Sequence, residues 1–180
     1  MISWHTHPLV SVLLITTSPS RRALVEQAIA CFEAQDWPLR ELVLINGTGY
    51  PFHIAHGQQV RVGAKSPGTL KNMALECAQG EWCVWWDDAC WFEPGYISLH
   101  MVSASKPRVT VAGILRVYNV GTQQEQVVHA GQLAGFFRLQ SRRYLENGDD
   151  EQFFSQFLEK RVLDASEHVL KFVHECATHS

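Results

Sequence analysis

The chain has 180 residues, 46 % hydrophobic and 18 % charged, the proportions of an ordinary globular protein with enough apolar residues for one core. With 15 Lys and Arg and a net charge of −3, it lacks the basic footprint of a nucleic-acid or anionic-membrane partner, and neither is expected. Its apolar runs fall short of the roughly 20 residues of a membrane span, its N-terminus has no basic-then-apolar leader, and its five cysteines form no CxxC pair, so we expect a cytoplasmic protein with reduced thiols and no zinc site.

PLVSVLLITTSPS (8–20) is a nearly continuous apolar run ending in small hydroxyl residues, the pattern of a strand buried on both faces that finishes in a polar loop. Ser18-Pro19 reads as a helix start. Leu24, Ala28 and Phe32 then recur at helical spacing until Asp36-Trp37-Pro38 stops the helix. RELVLING (40–47) is a second buried strand, and GQQVRV (57–62) a short third strand at an edge. SPGTLKNMALECAQGE (66–81) opens with turn residues and continues as a helix with Leu70, Met73, Ala74 and Cys77 on one side, ended by Gly80. WCVWWDD (82–88) is the fourth strand, followed by a helix over about 94–105.

Strands alternating with helices in this way predict a three-layer α/β domain whose site lies along the carboxyl ends of the strands. Thr16, Thr17, Asn46, Asp87 and Asp88 all fall there. After Lys106-Pro107 the pattern changes to RVTVAGILRVYNV (108–120), EQVVHA (125–130) and LAGFFRLQ (133–140), three strands separated by turns at GTQQ and AGQ. DDEQFFSQFLEKRV (149–162) returns to helical periodicity, with acids in its first turn, and EHVLKFVHECATHS (167–180) reads as a strand or a short helix. Without repeats or a long linker, residues 1–180 are expected to form a single domain.

At the tip of a buried strand, adjacent Asp87 and Asp88 point to opposite sides, one toward an inward partner and one toward the ligand crevice. Hard cations such as Mg²⁺ or Mn²⁺ take carboxylate and phosphate oxygens, so the pair suits a metal–diphosphate; on spacing alone it equally suits a cap for the following turn and the helix near Pro94. Strand alternation places at least two of Trp82, Trp85, Trp86 and Trp91 in the core, with Trp91, beyond the acids, the better candidate for a ligand-facing ring. The histidines at 5, 7, 174 and 179 read as solvated terminal residues, and His129 as an acceptor-side or metal-side group. Cys90 reads as a packing residue, because no Cys/His pairing is visible.

The stretch GTLKNMALECAQGEWCVWWDDACWFEP (68–94) resembles a segment of the GT-A-fold glycosyltransferases of the large family-two type. There a basic residue and Asn open a helix, an alanine and Gly-Glu close it, and a strand runs into an acidic DXD-type motif seven residues before a proline. Lys71-Asn72, Ala78-Gln79-Gly80-Glu81, Asp87 and Pro94 keep that spacing, and residues 8–47 are similar to the family's opening strand, helix and strand. The later part is similar more loosely, through AGQLAGFFRLQSRRYL (130–145) and GDDEQFF (148–154).

The resemblance implies a GT-A-like three-layer α/β/α sandwich with a mixed, mainly parallel sheet, residues 8–96 forming a nucleotide-binding half and 107–180 an acceptor-side half. It implies an inverting transfer of a sugar from a nucleotide-sugar donor to a glycan, lipid-linked or protein acceptor, in bacterial-type glycan or glycoconjugate synthesis. Thr16, Thr17 and Ser18 would line the floor under base and ribose, Asn46 stands where the family has a base-contacting aspartate, and Lys71 and Asn72 lie near the diphosphate. Asp87 and Asp88 would hold Mg or Mn, and Asp150 or its neighbour Asp149 would be the general base.

Three departures accompany the resemblance: Ala89 replaces the last acid of the motif, Cys90 stands where a further acid is frequent, and Asn46 replaces the aspartate. They keep a second reading open, a degenerate nucleotide-sugar-binding or scaffolding relative. A nucleotidyltransferase is disfavoured, since no glycine-rich basic phosphate loop is present.

Overall fold

The computed structural model describes residues 7–103, 109–138, 161–165, 167 and 169–173. Strands β1 (Val10–Thr16), β2 (Arg40–Asn46), β3 (Gly57–Arg61) and β4 (Trp82–Trp86) pair in parallel in the order β3-β2-β1-β4. The continuous apolar runs of β1, β2 and β4 are buried because helices cover both faces of the sheet, whereas β3 is half-exposed, as its edge position requires. Helix α1 (Arg22–Glu33) packs Val25, Ala28, Ile29 and Phe32 on one face, and α2 (Pro67–Cys77) packs Leu70, Ala74 and Leu75 on the other.

The two helices start differently, and the start of α2 is the one its sequence explains. Ser66 caps α2 by accepting from Thr69 N at 3.4 Å, and Pro67 occupies the first turn, where its missing N–H costs nothing. Before α1, Pro19–Arg21 form a separate 3₁₀ turn headed by extended Ser18, whose side chain makes no capping bond. The α-helix therefore begins later than Ser18-Pro19 suggests, and Val25, not Leu24, reaches the core. Gly80 sits against β1, where a Cβ would lie 2.7 Å from Leu9 O and Ser11 N; its own N–H donates to Ser11 Oγ at 2.8 Å. This close approach explains the glycine that ends the α2 segment.

Beyond β4 come β5 (Cys90–Phe92), α3 (Tyr96–Ser103), β6 (Val109–Asn119), β7 (Gln124–Arg138), β8 (Arg161–Asp164) and β9 (Val169–Val173). EQVVHA and the described part of LAGFFRLQ, residues 133–138, belong to the single strand β7, and the AGQ segment that reads as a turn lies within it. The β6–β7 pairing shifts register between Val111 and Ala112 and between Ala112 and Ile114, and such irregularities bend a ribbon without ending it. The short strand β5 was not anticipated. Arg161 and Val162, expected at the end of a helix, lie in β8, and within the final segment residues 169–173 form a strand, one of its two readings. The rest of the 149–162 segment, with Asp149 and Asp150, lies outside the described residues, as do His174 and His179.

The sheet continues from β4 through antiparallel β7 to β6, then β9 and β5. Only residues 87–89 separate β4 from β5, and four Cα–Cα steps of about 3.8 Å span at most about 15 Å. Four strand spacings of about 4.8 Å exceed that reach, so the far end of the path must curl back toward β4. The curl is filled by aromatic rings: Trp86 stacks on Phe92 at 3.7 Å between centroids, Tyr96 packs against both, and His100 stacks on Phe136 at 4.2 Å. Trp82 and Trp86 are the expected core tryptophans, and Trp86 Nε1 donates to Ala28 O at 3.0 Å.

Candidate functional site

The carboxyl ends of β1 and β2, the segment after β3 and the first turns of α2 enclose a crevice of about 540 Å³. Thr17, Gly47, Lys65 and Lys71 line it, with Ile15 and Leu70 as its apolar wall. Lys71 also reaches over the Trp85 ring, 5.8 Å from the centroid, and Asn72 follows it, half-buried, on α2. Thr16 is buried, and its Oγ1 has no hydrogen-bond partner among the described residues. Ser18 lies farther along the same loop, its hydroxyl 2.8 Å from that of Ser20.

Asn46 is committed to its own loop. Its Oδ1 accepts from Thr48 N at 2.9 Å and Thr48 Oγ1 at 2.7 Å, while its Nδ2 donates to Tyr50 O at 2.6 Å and Gln59 Oε1 at 3.1 Å. An aspartate cannot make the last two bonds. The substitution therefore has a structural consequence: it fixes the β2–β3 connection beside the crevice.

β1 pairs with β4 so that Leu14 faces Trp86, which brings the loop after β1 alongside the acids after β4. Arg21 uses this proximity. Its Nε donates to Asp88 Oδ2 at 2.8 Å and its Nη2 to Oδ1, a bidentate fork on a carboxylate only 8 % exposed. These bonds to Asp88 push the Arg21 guanidinium further up from its ordinary range, so it stays charged. Asp87 turns elsewhere: Oδ1 accepts from Ala89 N at 2.9 Å, and Oδ2 lies 3.3 Å from Lys171 Nζ on β9. The two acids do take opposite directions, and Asp87 caps the turn that follows it.

Cys90 is buried, and burial followed by the Asp87 charge pushes its thiol well above the ordinary range, so it packs and offers no thiolate at neutral pH. Trp91 is exposed on β5, its Nε1 donating to Glu93 Oε1 at 3.1 Å, and it is not among the residues lining the crevice. His129 lies on β7 in register with Ile114.

A Mg or Mn ion held by Asp87 and Asp88 does not fit this donor set. Both Asp88 oxygens accept from Arg21, Asp87 is shared between a backbone N–H and Lys171, and Ala89 has no side-chain donor. No grouping of three metal-ligating side chains occurs among the described residues. Sequence reasoning missed Arg21, Lys65 and Lys171. The available signals were an Arg pair directly after the strand-end hydroxyls and a lone Lys within the apolar run HVLKFV.

No protein-family model matches the chain, and no curated protein matches it. Solved structures do. S. aureus TarS residues 1–349 in complex with UDP-GlcNAc superposes with a TM-score of 0.69 at 13 % identity, over 93 % of this chain and 59 % of that one. The mannosyltransferase PcManGT from Pyrobaculum calidifontis, in complex with GDP-Man and Mn²⁺, gives 0.67 at 15 % identity, over 94 % of this chain and 57 % of that one. The chain has the GT-A glycosyltransferase fold, a mixed α/β architecture with a mainly parallel sheet. It spans less than two thirds of the length of either neighbour. Among the described residues, no helix is long and apolar enough to cross a membrane.

Proposed function

We propose that the chain is a nucleotide-sugar-dependent glycosyltransferase that transfers a sugar with inversion to the hydroxyl of a glycan, lipid-linked or protein acceptor. The supporting observation is the crevice at the carboxyl ends of β1 and β2, lined by Thr17, Gly47, Lys65 and Lys71, in a fold whose solved neighbours were captured with UDP-GlcNAc and GDP-Man. In this reading the base and ribose lie over Thr16, Thr17 and Ser18, and Lys71 and Asn72 face the diphosphate. The acceptor oxygen forms a bond to the anomeric carbon as the bond to the diphosphate breaks. Asp150 or Asp149 accepts the acceptor's proton, and Trp91 flanks the sugar.

Thermal stabilisation and donor hydrolysis against UDP-, GDP- and CMP-linked sugars test the proposal. One donor class should raise the melting temperature and be hydrolysed, and Asp150→Asn should lower turnover by at least about 100-fold while sparing donor binding, the scale of losing a general base. Binding without turnover would favour the donor-binding relative, to which the Arg21–Asp88 fork and Ala89 also lend weight. No stabilisation by any nucleotide would sink both readings.

A further inference from the structure

The acids after β4 face cations supplied by the chain itself. Arg21 forks onto Asp88 from the loop after β1, and Lys171 reaches Asp87 from β9, the strand that pairs with β5. Two carboxylates with a divalent ion have the same net charge as two carboxylates with one Arg and one Lys. The local charge that a metal would balance is thus already balanced, and a metal bridging both acids would have to break the fork on the buried Asp88 carboxylate. The cations keep a route to a ligand: the Arg21 side chain is 41 % exposed over an Asp88 that is 8 % exposed, and in the second pair Lys171 is 25 % and Asp87 38 % exposed. An Arg anchored through one edge retains further N–H donors, and Lys171, with one of its three N–H groups toward Asp87, retains two.

We infer that Arg21 and Lys171 take the place of the divalent cation, so that the chain binds the nucleoside diphosphate of its donor through Arg21, Lys171 and Lys71 without a metal ion. This rests on the donor-site reading above. When the bond between the sugar and the diphosphate breaks, the electron pair remains on the diphosphate oxygen, and the two side chains meet the added charge. Ala89, at the last position of the acidic motif, then has no ligand to supply, and its replacement of an acid is consistent with the rest of the site.

Calorimetric titration of the full chain with UDP and with GDP, each in EDTA and in Mn²⁺, decides the matter without any variant. The nucleotide that binds should do so with Kd values within about twofold in the two buffers. Lys171→Met should weaken that diphosphate about tenfold and leave binding of the matching nucleoside unchanged, the loss expected of one charge-assisted contact. A merely structural role would move both ligands together. Arg21→Lys, which keeps the charge but loses the fork, should weaken only the diphosphate. Affinity tightened tenfold or more by Mn²⁺ overturns the inference and leaves the donor site standing; no binding of either diphosphate in any buffer overturns the inference, and the donor site falls with it when no nucleotide sugar of the panel raises the melting temperature.

Discussion

Asn46 shows how one atom type decides a loop. Its amide donates to the Tyr50 carbonyl and to Gln59 Oε1, and that same Gln59 oxygen accepts from Phe52 N at 3.0 Å. Asn46→Asp, which restores the residue type usual in the resembling family, places a carboxylate against the Tyr50 carbonyl. Turning the Gln59 amide to repair one bond would cost Phe52 its acceptor. Destabilisation of about 1–3 kcal/mol is expected near neutral pH, the price of buried groups left unmatched. The buried carboxyl's pKa would be raised, so the native state favours its protonated form: the penalty is small below the unfolded value of about 3.9 and grows as pH rises through the folded value. Urea midpoints of wild type and variant at pH 4 and pH 7 check this, and an unchanged gap between them would refute it. The strand-end positions were legible because hydroxyl and acidic residues end apolar runs, a local pattern. Their partners were not, because the Arg21–Asp88 bond joins residues 67 positions apart and depends on β1 lying beside β4.

At the scale of elements, legibility followed the physics of each strand. β1, β2 and β4 are covered on both faces, so burial writes an unbroken apolar run into each. β5 has three residues and follows β4 after only three more, so no periodicity separates it from the preceding run. β7 reads as two strands because the small residues at Ala130-Gly131 imitate a turn, while its pairing with β6 merely shifts register nearby. The edge strand β3 depends on a single position. Gly57 has φ +151°, and a Cβ there would lie 2.0 Å from Leu42 O and 2.6 Å from Leu42 N. Those atoms are backbone and cannot rotate away. Gly57→Ala should destabilise the fold by about 2–4 kcal/mol through strain and overpacking. Hydrogen exchange should show protection lost first at β3 and the β2 edge that it covers; uniform protection, with a wild-type denaturation midpoint, would contradict this.

At the scale of the molecule, residues 8–96 and the strands after residue 106 share their cores. β7 runs antiparallel to β4 with Phe137 opposite Cys83 and Phe136 opposite Val84, and successive side chains on a strand point to opposite faces. Phe136 therefore enters the core beneath α1, with Trp86, Phe92 and Tyr96, while Phe137 enters the core beneath α2, with Leu13, Val43 and Cys83. A fragment ending near residue 106 would lose both rings, each contributing about 1.5–3 kcal/mol of burial, and would leave β4 an unpaired apolar edge. Domain stabilities of about 5–15 kcal/mol do not absorb that loss together with the missing strand pairing. We expect the fragment 1–106 to show no cooperative thermal transition and to self-associate, whereas the full chain melts in one step. Scanning calorimetry and size-exclusion chromatography of the two proteins make the comparison. A monomeric fragment with its own sharp transition would mean that residues 8–96 are a separable folding unit, and that the strands after residue 106 were added to a core already complete.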